Sequence, residues 1–514
     1  MTNTQTKEPT GAVMVVGGGI GGMQASIDLA ESGYLVYLVE RKSSIGGRMS
    51  QLDKTFPTND CAMCMISPKL VGCASHPNIN IITLAELIGL EGSTGNLTAH
   101  VRKYARYVDE DKCVGCGICA QKCPVNVDDN YNEGLQSRKA IYLQYPQAVP
   151  LVYAIDRDHC IYFKKGKCRA CEKFCKTNAI DFNQTDEEIS LKVGSVILAP
   201  GFDLFKAERA QEYGYGRYQN VVTTMEFERF MSATGPSDGH ILRPSDRTVP
   251  EKVAWIQCVG SRESIRSGRE FCSSICCVAA TKEAVIATDH HSGLKATIFY
   301  LDLRAQGKGF DAYCERAKKQ SKVRYVRSMI SRVAENPVTK DLVLSYQDPE
   351  TGEKREETFS MVVLSVGLAP SSEARPLAER LGIDLNPFGF VKTQTGDPLS
   401  TSREGVYVCG DALIDDICEE PNIFVDVDYD DETSLNVTEY EMIWLPTQTQ
   451  LQEIIEGDSV DSIFFFTLEK LSDFAICNDN YVKDFNSMEQ LWLAFVMKEK
   501  YNKVWSDGEW VHAK

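Results

Sequence analysis

Short apolar runs, glycine turns and helical stretches alternate from the start of the chain. Residues 12–16 read AVMVV and stop at Gly-Gly-Gly-Ile-Gly-Gly; helical spacing then runs from Ile20 to Ser32 and ends at Gly33. A second apolar run, 34–39, leads into Glu40. Runs of this length predict a strand, a glycine turn, a helix and a second strand. Further strand-sized runs occur at 193–201 (VGSVILAPG), 252–257 (KVAWIQ) and 406–412 (VYVCGDA). Strands alternating with helices predict an α/β fold with parallel sheets.

Composition narrows the class. The chain has 514 residues, 43% hydrophobic and 25% charged, so it reads as globular, with a length that suits about three domains. No run reaches the roughly 18–20 apolar residues of a membrane span. The first residues lack the basic-then-apolar layout of a signal peptide, which predicts a cytoplasmic protein. Charge is uneven: residues 415–514 hold 23 acidic and 6 basic residues, which accounts for the whole net charge of −17. That asymmetry predicts a separate acidic C-terminal module and argues against nucleic-acid binding as the main role. Its runs EYEMIWLP and SIFFFT are strand-like, SMEQLWLAFVMKEKY is helical, and DVDYDDE (426–432) reads as a solvated loop.

The first turn carries Gly17-x-Gly19-x-x-Gly22. Gly17 suits the tight turn, Gly19 lets a pyrophosphate approach the backbone, and Gly22 lets helix and strand pack closely. The helix N-terminus supplies donors to the phosphates, and Glu40 is placed to accept from ribose hydroxyls. Arg41, Gly47 and Arg48 follow closely, as in two-dinucleotide-domain flavoproteins, so FAD is the expected cofactor. Gly201 and the pair Gly410-Asp411 resemble the later flavin-contacting turns of that superfamily.

Nineteen cysteines in a chain without an export signal point to metal or redox chemistry, and fifteen of them fall in three groups. Cys113, Cys116, Cys119 and Cys123-Pro124 have the bacterial ferredoxin spacing, and Cys160, Cys168, Cys171 and Cys175 are the mate, with a longer first loop and Lys176 in place of proline. The cross-over rule assigns Cys113, Cys116, Cys119 and Cys175 to one [4Fe–4S] cluster, and Cys160, Cys168, Cys171 and Cys123 to the other. Zinc sites rarely use this spacing.

Cys258, Cys272, Cys276 and Cys277 lie where a pyridine-nucleotide reductase would repeat the glycine fingerprint. The Cys258 side chain stands where a phosphate needs bare backbone, so no NAD(P)H site is expected there. The four thiols are candidate ligands of a third cluster, with buried or regulatory thiols as the alternative. Cys61, Cys64 and Cys73 leave three readings open: a redox dithiol, a partial cluster site completed by a partner, or buried sulfur. Cys314, Cys409, Cys418 and Cys477 are isolated and read as structural.

The chain resembles the A-subunit family of heterodisulfide reductase in GGRMSQLDKTFPTNDCAMCMISPKLV (46–71), CVGCGICAQKCPV (113–125), NEGLQSRKAIYLQYPQAVP (132–150), CVGSRESIRSGREFCSSICC (258–277) and YLDLRAQGKGFDAY (300–313). The resemblance covers about residues 10–414. It implies a thioredoxin-reductase-like, Rossmann-type flavoprotein with an inserted two-cluster ferredoxin domain, and a further cluster on the four cysteines 258–277. The expected division is a flavin domain at 10–105, 186–245 and 371–414, the insert at 106–185, a second Rossmann-like domain at 246–370 and the acidic module at 415–514. After Gly410-Asp411-Ala412 the family's helix that completes the flavin site is replaced by IDDICEEPN. Longer members carry additional N- and C-terminal cluster domains. The family also implies a soluble complex with other subunits and a ferredoxin, hydrogenase or dehydrogenase as electron donor, in which flavin distributes or bifurcates electrons. Catalysis is then borne by cofactors, with no catalytic side chain. The alternatives are an NAD(P)H-dependent iron–sulfur flavoprotein and a non-catalytic electron-transfer or assembly subunit.

Overall fold

A computed structural model of the chain describes residues 10–262, 270–305, 309–394 and 397–410, together with the backbone of the strands Lys503–Ser506 and Glu509–His512. The chain divides into a unit ending at Ile423 and a unit from Phe424 onward. In the second, the two described strands pair antiparallel, Lys503 opposite His512. Asp411, Cys418, Cys477, the 426–432 run and the predicted tail elements lie outside the described residues.

Within the first unit, β1 (Ala12–Val16) pairs in parallel with β2 (Leu35–Glu40) on one side and with Ser195–Leu198 on the other. β3 (Ile79–Thr83) extends the sheet beyond β2, and Val406–Val408 extends it beyond Ser195–Leu198. The order of strand addition therefore reverses at β1, so its carboxyl end is the switch point where a doubly wound sheet opens a crevice. Met14 and Val15 face opposite layers, as the two-residue period of a strand requires. Met14 packs with the three-stranded meander that includes Ala85–Ser93 and Asn96–Lys103, and Val15 packs with α1 (Ile20–Glu31) and α2 (Ala62–Ser75).

The insert leaves this meander and returns to it between cross-strand neighbours: Lys103 pairs with Glu187. It closes again where Val108 bridges Ile180. Its own core is small, built on Tyr107, Val108, Ile141, Val152, Ile155, Ile180 and Phe182, with the cysteines packed into it.

The second sheet is wholly parallel, in the order Val221–Thr223, Met361–Val366, Lys252–Val259, Lys295–Tyr300 and Arg324–Arg327. The strand Val221–Thr223 and the helix Thr224–Met231 belong to this sheet and its core, which corrects the boundary placed at 245. The physical reason is length: a three-residue edge strand carries no readable period.

Candidate functional site

The glycine turn after β1 has no room for side chains where the sequence leaves them out. A Cβ on Gly17 would lie 2.0 Å from the Ala199 carbonyl oxygen, and one on Gly22 would lie 1.9 Å from the Gly17 oxygen. Gly19 faces open space at the N-terminus of α1. A neighbouring backbone closes one wall, since a Cβ on Gly47 would meet Gly19 Cα at 2.7 Å, and Gly46 N–H donates to Gly18 O at 2.7 Å. Gly410 lies beside Gly21 on the first turn of α1, and Gly201 has a left-handed φ of 63° just after Ala199. The structure thus gathers Gly17, Gly19, Gly22, Gly47, Gly201 and Gly410 around one helix N-terminus, a shape suited to a phosphate-bearing cofactor.

The charged residues there are held differently from one another. The Glu40 carboxylate accepts from Gly18 N–H at 2.7 Å and from Lys42 N–H at 2.8 Å, which fixes it at the end of β2. Each of its oxygens keeps a second lone pair for a ribose hydroxyl. Arg41 turns away and pairs with Glu373. Arg48 reaches Glu133 of the insert at 3.2 Å and Asp203 at 3.8 Å.

In the insert, Cys123, Cys160, Cys168 and Cys171 line a single shallow cleft with Ile141, Ile155 and Ile161. One of these thiols comes from the first cysteine run and three from the second. Cys119, in the short helix Ile118–Lys122, is the buried member of the other group. Burial pushes the thiols of Cys119 and Cys171 up to about 12. A thiolate at either position therefore needs a cation beside it, which the donor chemistry of an iron–sulfur cluster supplies. Cys175 differs: burial acts upward, yet its sulfur accepts from Ala179 N–H at 3.3 Å and contacts the Thr177 hydroxyl at 3.6 Å, and its thiol lies below the usual value. Among the described residues, no three His, Cys, Asp or Glu side chains close on a point as they would around one ion.

The other four cysteines meet where the second sheet ends. Cys258 finishes the strand Lys252–Val259 with a left-handed φ of 60°. Cys276 and Cys277 open the helix Cys276–His290, and Cys272 lies just before it, its sulfur accepting from Ser274 N–H at 3.4 Å. Consecutive helical residues do not face one another, and these two diverge accordingly. Cys276 donates to Val366 O, the last residue of Met361–Val366, and Cys277 to Asp302 O, just past Lys295–Tyr300, each at 3.6 Å. Burial, then the neighbouring thiols of this group, hold Cys276 well above its usual value, and Cys277 is pushed up to about 12.

Cys61 and Cys64 are both exposed at the N-terminus of α2, where Cys64 N–H donates to Cys61 Sγ at 3.3 Å, whereas Cys73 is buried on the same helix. Buried sulfur therefore describes Cys73 and not the other two. Cys314 is buried, and Cys409 is half-buried beside Gly21.

Several residues that join these regions were not visible as candidates in the sequence. Tyr131 and Tyr145 stack with ring centres 5.3 Å apart and donate to the carbonyls of Ser50 and Ile45, on either side of Gly47. Ile45 N–H donates to Val149 O at 2.9 Å, so the segment 131–149 lies directly on the Gly46-Gly47 turn. Arg106, 3% exposed, bonds Ser43 O at 3.0 Å and Val152 O at 3.2 Å. Arg229, on the helix Thr224–Met231, bonds Gln51 O at 2.6 Å and Asn132 Oδ1 at 2.9 Å.

Three family models match: FAD dependent oxidoreductase over residues 12–62, 4Fe-4S binding domain over 106–127, and pyridine nucleotide-disulphide oxidoreductase over 277–426. The iron–sulfur A-subunit of CoB–CoM heterodisulfide reductase from Methanocaldococcus jannaschii is 46% identical over 399 residues, which is 77% of this chain and 60% of that protein. The corresponding A-subunit 1 of Methanopyrus kandleri is 45% identical over 79% of this chain and 61% of its own length. The chain is homologous to the A-subunit of heterodisulfide reductase. It spans about three fifths of the length of these relatives. A third, the A-subunit of ferredoxin:CoB–CoM heterodisulfide reductase from Methanosarcina mazei, is 38% identical over 77% of this chain and 50% of its own. Among solved structures, thioredoxin reductase of T. acidophilum aligns over 78% of this chain and 89% of its own at 14% identity, with a TM-score of 0.42. The matched models support an FAD-binding region and at least one [4Fe–4S]-binding region in this chain. Among the described residues no helix is long and apolar enough to cross a membrane.

Proposed function

We propose that this chain is the FAD- and iron–sulfur-bearing electron-transfer subunit of a heterodisulfide reductase-like complex. In that reading it distributes electrons, by bifurcation, between ferredoxin-like carriers, a hydrogenase or dehydrogenase donor, and a partner subunit that reduces the disulfide. When bound, the flavin supplies a junction between two-electron and one-electron chemistry, and the clusters supply one-electron carriers. The α1 turn would bind the cofactor's pyrophosphate, Glu40 its ribose, and Asp411 its ribityl or phosphate region. Cys113, Cys116, Cys119 and Cys175 would hold one cluster, and Cys123, Cys160, Cys168 and Cys171 the second. Cys258, Cys272, Cys276 and Cys277 would hold a third, with the helix N-terminus at Cys276 favouring thiolates. No side chain needs to act as acid or base; the protein's part is to bind, orient and exclude water.

The cleft lined by Cys123, Cys160, Cys168 and Cys171 carries this reading, because it combines thiols from both cysteine runs in the crossed set that two cubanes require. Iron, sulfide and flavin measured on one anaerobic preparation test it. Near-stoichiometric FAD with about twelve irons per chain is expected, and about eight irons would remove the third cluster. Zinc in place of iron, or colourless protein, overturns the proposal. Rapid bleaching of the flavin by NADPH in the isolated chain would replace it with the NAD(P)H-dependent reading.

A further inference from the structure

The two cysteine runs of the insert differ sharply in charge. Residues 160–176 hold six basic residues and one acidic, a local net charge of +5, whereas residues 113–123 hold a single lysine. Each run supplies four thiols, so cations placed to balance sulfur charge would be shared between them. The one acid, Glu172, is taken by Arg169, whose guanidinium also lies over the Tyr162 and Phe182 rings at 5.5 and 5.4 Å. Lys164, Lys165, Lys167, Lys173 and Lys176 are exposed, and none has an ion-pair partner among the described residues. Their field is therefore left uncancelled at the surface.

Two further features lie within this run. Cys168 is exposed, held at a left-handed φ of 81°, and lines the cleft with Cys123, Cys160 and Cys171. Phe174 is 44% exposed, with Lys122 Nζ 5.2 Å from the centre of its ring. An exposed aromatic side chain among charged residues has the anatomy of a protein interface. The cations left free are all lysines, hydrated point charges that suit long-range attraction and brief encounters, whereas bidentate capture of phosphate favours arginine.

We propose that this lysine face is the docking surface of an acidic one-electron carrier protein, which approaches the insert at its Cys168 edge. The proposal rests on the electron-transfer reading above and adds where the carrier sits and what selects it. Attraction to the face steers and orients an acidic carrier, and an interface of this kind is small and releases its partner quickly.

Stopped-flow binding of a fluorescently labelled acidic ferredoxin to the anaerobic full chain tests this, with iron and flavin measured on the same sample. Those contents report on the electron-transfer reading separately, so either proposal can fail alone. The association rate constant is expected to fall about tenfold or more between roughly 50 and 500 mM salt, as screening removes the attraction. At low salt, Lys164→Glu with Lys165→Glu and Lys167→Glu is expected to lower it about tenfold or more at unchanged iron. The same charge change outside the insert, at the exposed Lys319, Lys354 and Lys392, is expected to lower it by less than about threefold. If the first variant loses iron, the milder Lys164→Gln with Lys165→Gln is expected to lower the rate about threefold. A rate indifferent to salt, equal losses in the two triple variants, or no binding to a chain with full iron and flavin would each overturn the proposal. Capture of phosphatidylserine vesicles through the same lysines, without ferredoxin binding, would overturn it too and assign the face to a membrane.

Discussion

Cys116 is exposed, so replacing it removes a thiol and almost no packing. Cys116→Ala is expected to lower iron by about four per chain and leave the flavin absorbance intact. Loss of flavin together with iron would show that the insert and the flavin domain do not hold their cofactors independently. Cysteine spacing is what marks this residue as a candidate, because three thiols at i, i+3 and i+6 can wrap a cluster corner and rarely arise otherwise. The glycines were legible for a similar reason: each absent side chain answers a contact of about 2 Å or an open approach. Arg106, Arg229, Tyr131 and Tyr145 were not. Each acts through one or two bonds to residues 40 to 180 positions away, and a single polar or aromatic side chain announces no such partner.

The helix Cys276–His290 is buried around most of its circumference and carries charge inward. Lys282 pairs with Glu228 of the helix Thr224–Met231, and Trp255 Nε1 donates to Glu283 at 2.8 Å. Burial, with the Glu228 carboxylate beside it, holds the Glu283 carboxyl well above its usual value, against the pull of Lys282. A carboxyl raised in the folded state contributes stability that is complete below its unfolded value, about 4.3, and is lost as pH rises through the folded value. Glu283→Gln keeps an acceptor for Trp255 and is expected to flatten the fall of Tm with rising pH above about 4.3. Asp53 and Glu226, also raised by burial, leave a smaller residual slope. An unchanged profile would mean that Glu283 does not govern it. Polar residues at 281–283 obscured how deeply this helix is buried, since Thr-Lys-Glu reads as a solvated face until Glu228 and Trp255 are in place. The strand Lys252–Val259 gave no such trouble, because its apolar run is continuous.

At the level of the molecule, the fold follows from where chain segments leave and return. Lys103 and Glu187 are cross-strand partners, so the whole insert fits in the gap between two neighbouring strand ends. Its core is small and shares its volume with cysteines, so iron removal is expected to loosen it more than the sheets on either side. Limited proteolysis before and after chelation checks this: new cuts should fall within residues 106–185, and cuts spread evenly over residues 10–410 would contradict it. The bonds of Arg106, Arg229 and the tyrosine pair reach from the insert and the second sheet to the backbone around the glycine turn. With those bolts in place, the spacing between the proposed cofactor sites is set once, when the chain folds. Hopping inside this protein should then be indifferent to solvent viscosity, unlike transfer by a carrier that must swing on a hinge between donor and acceptor.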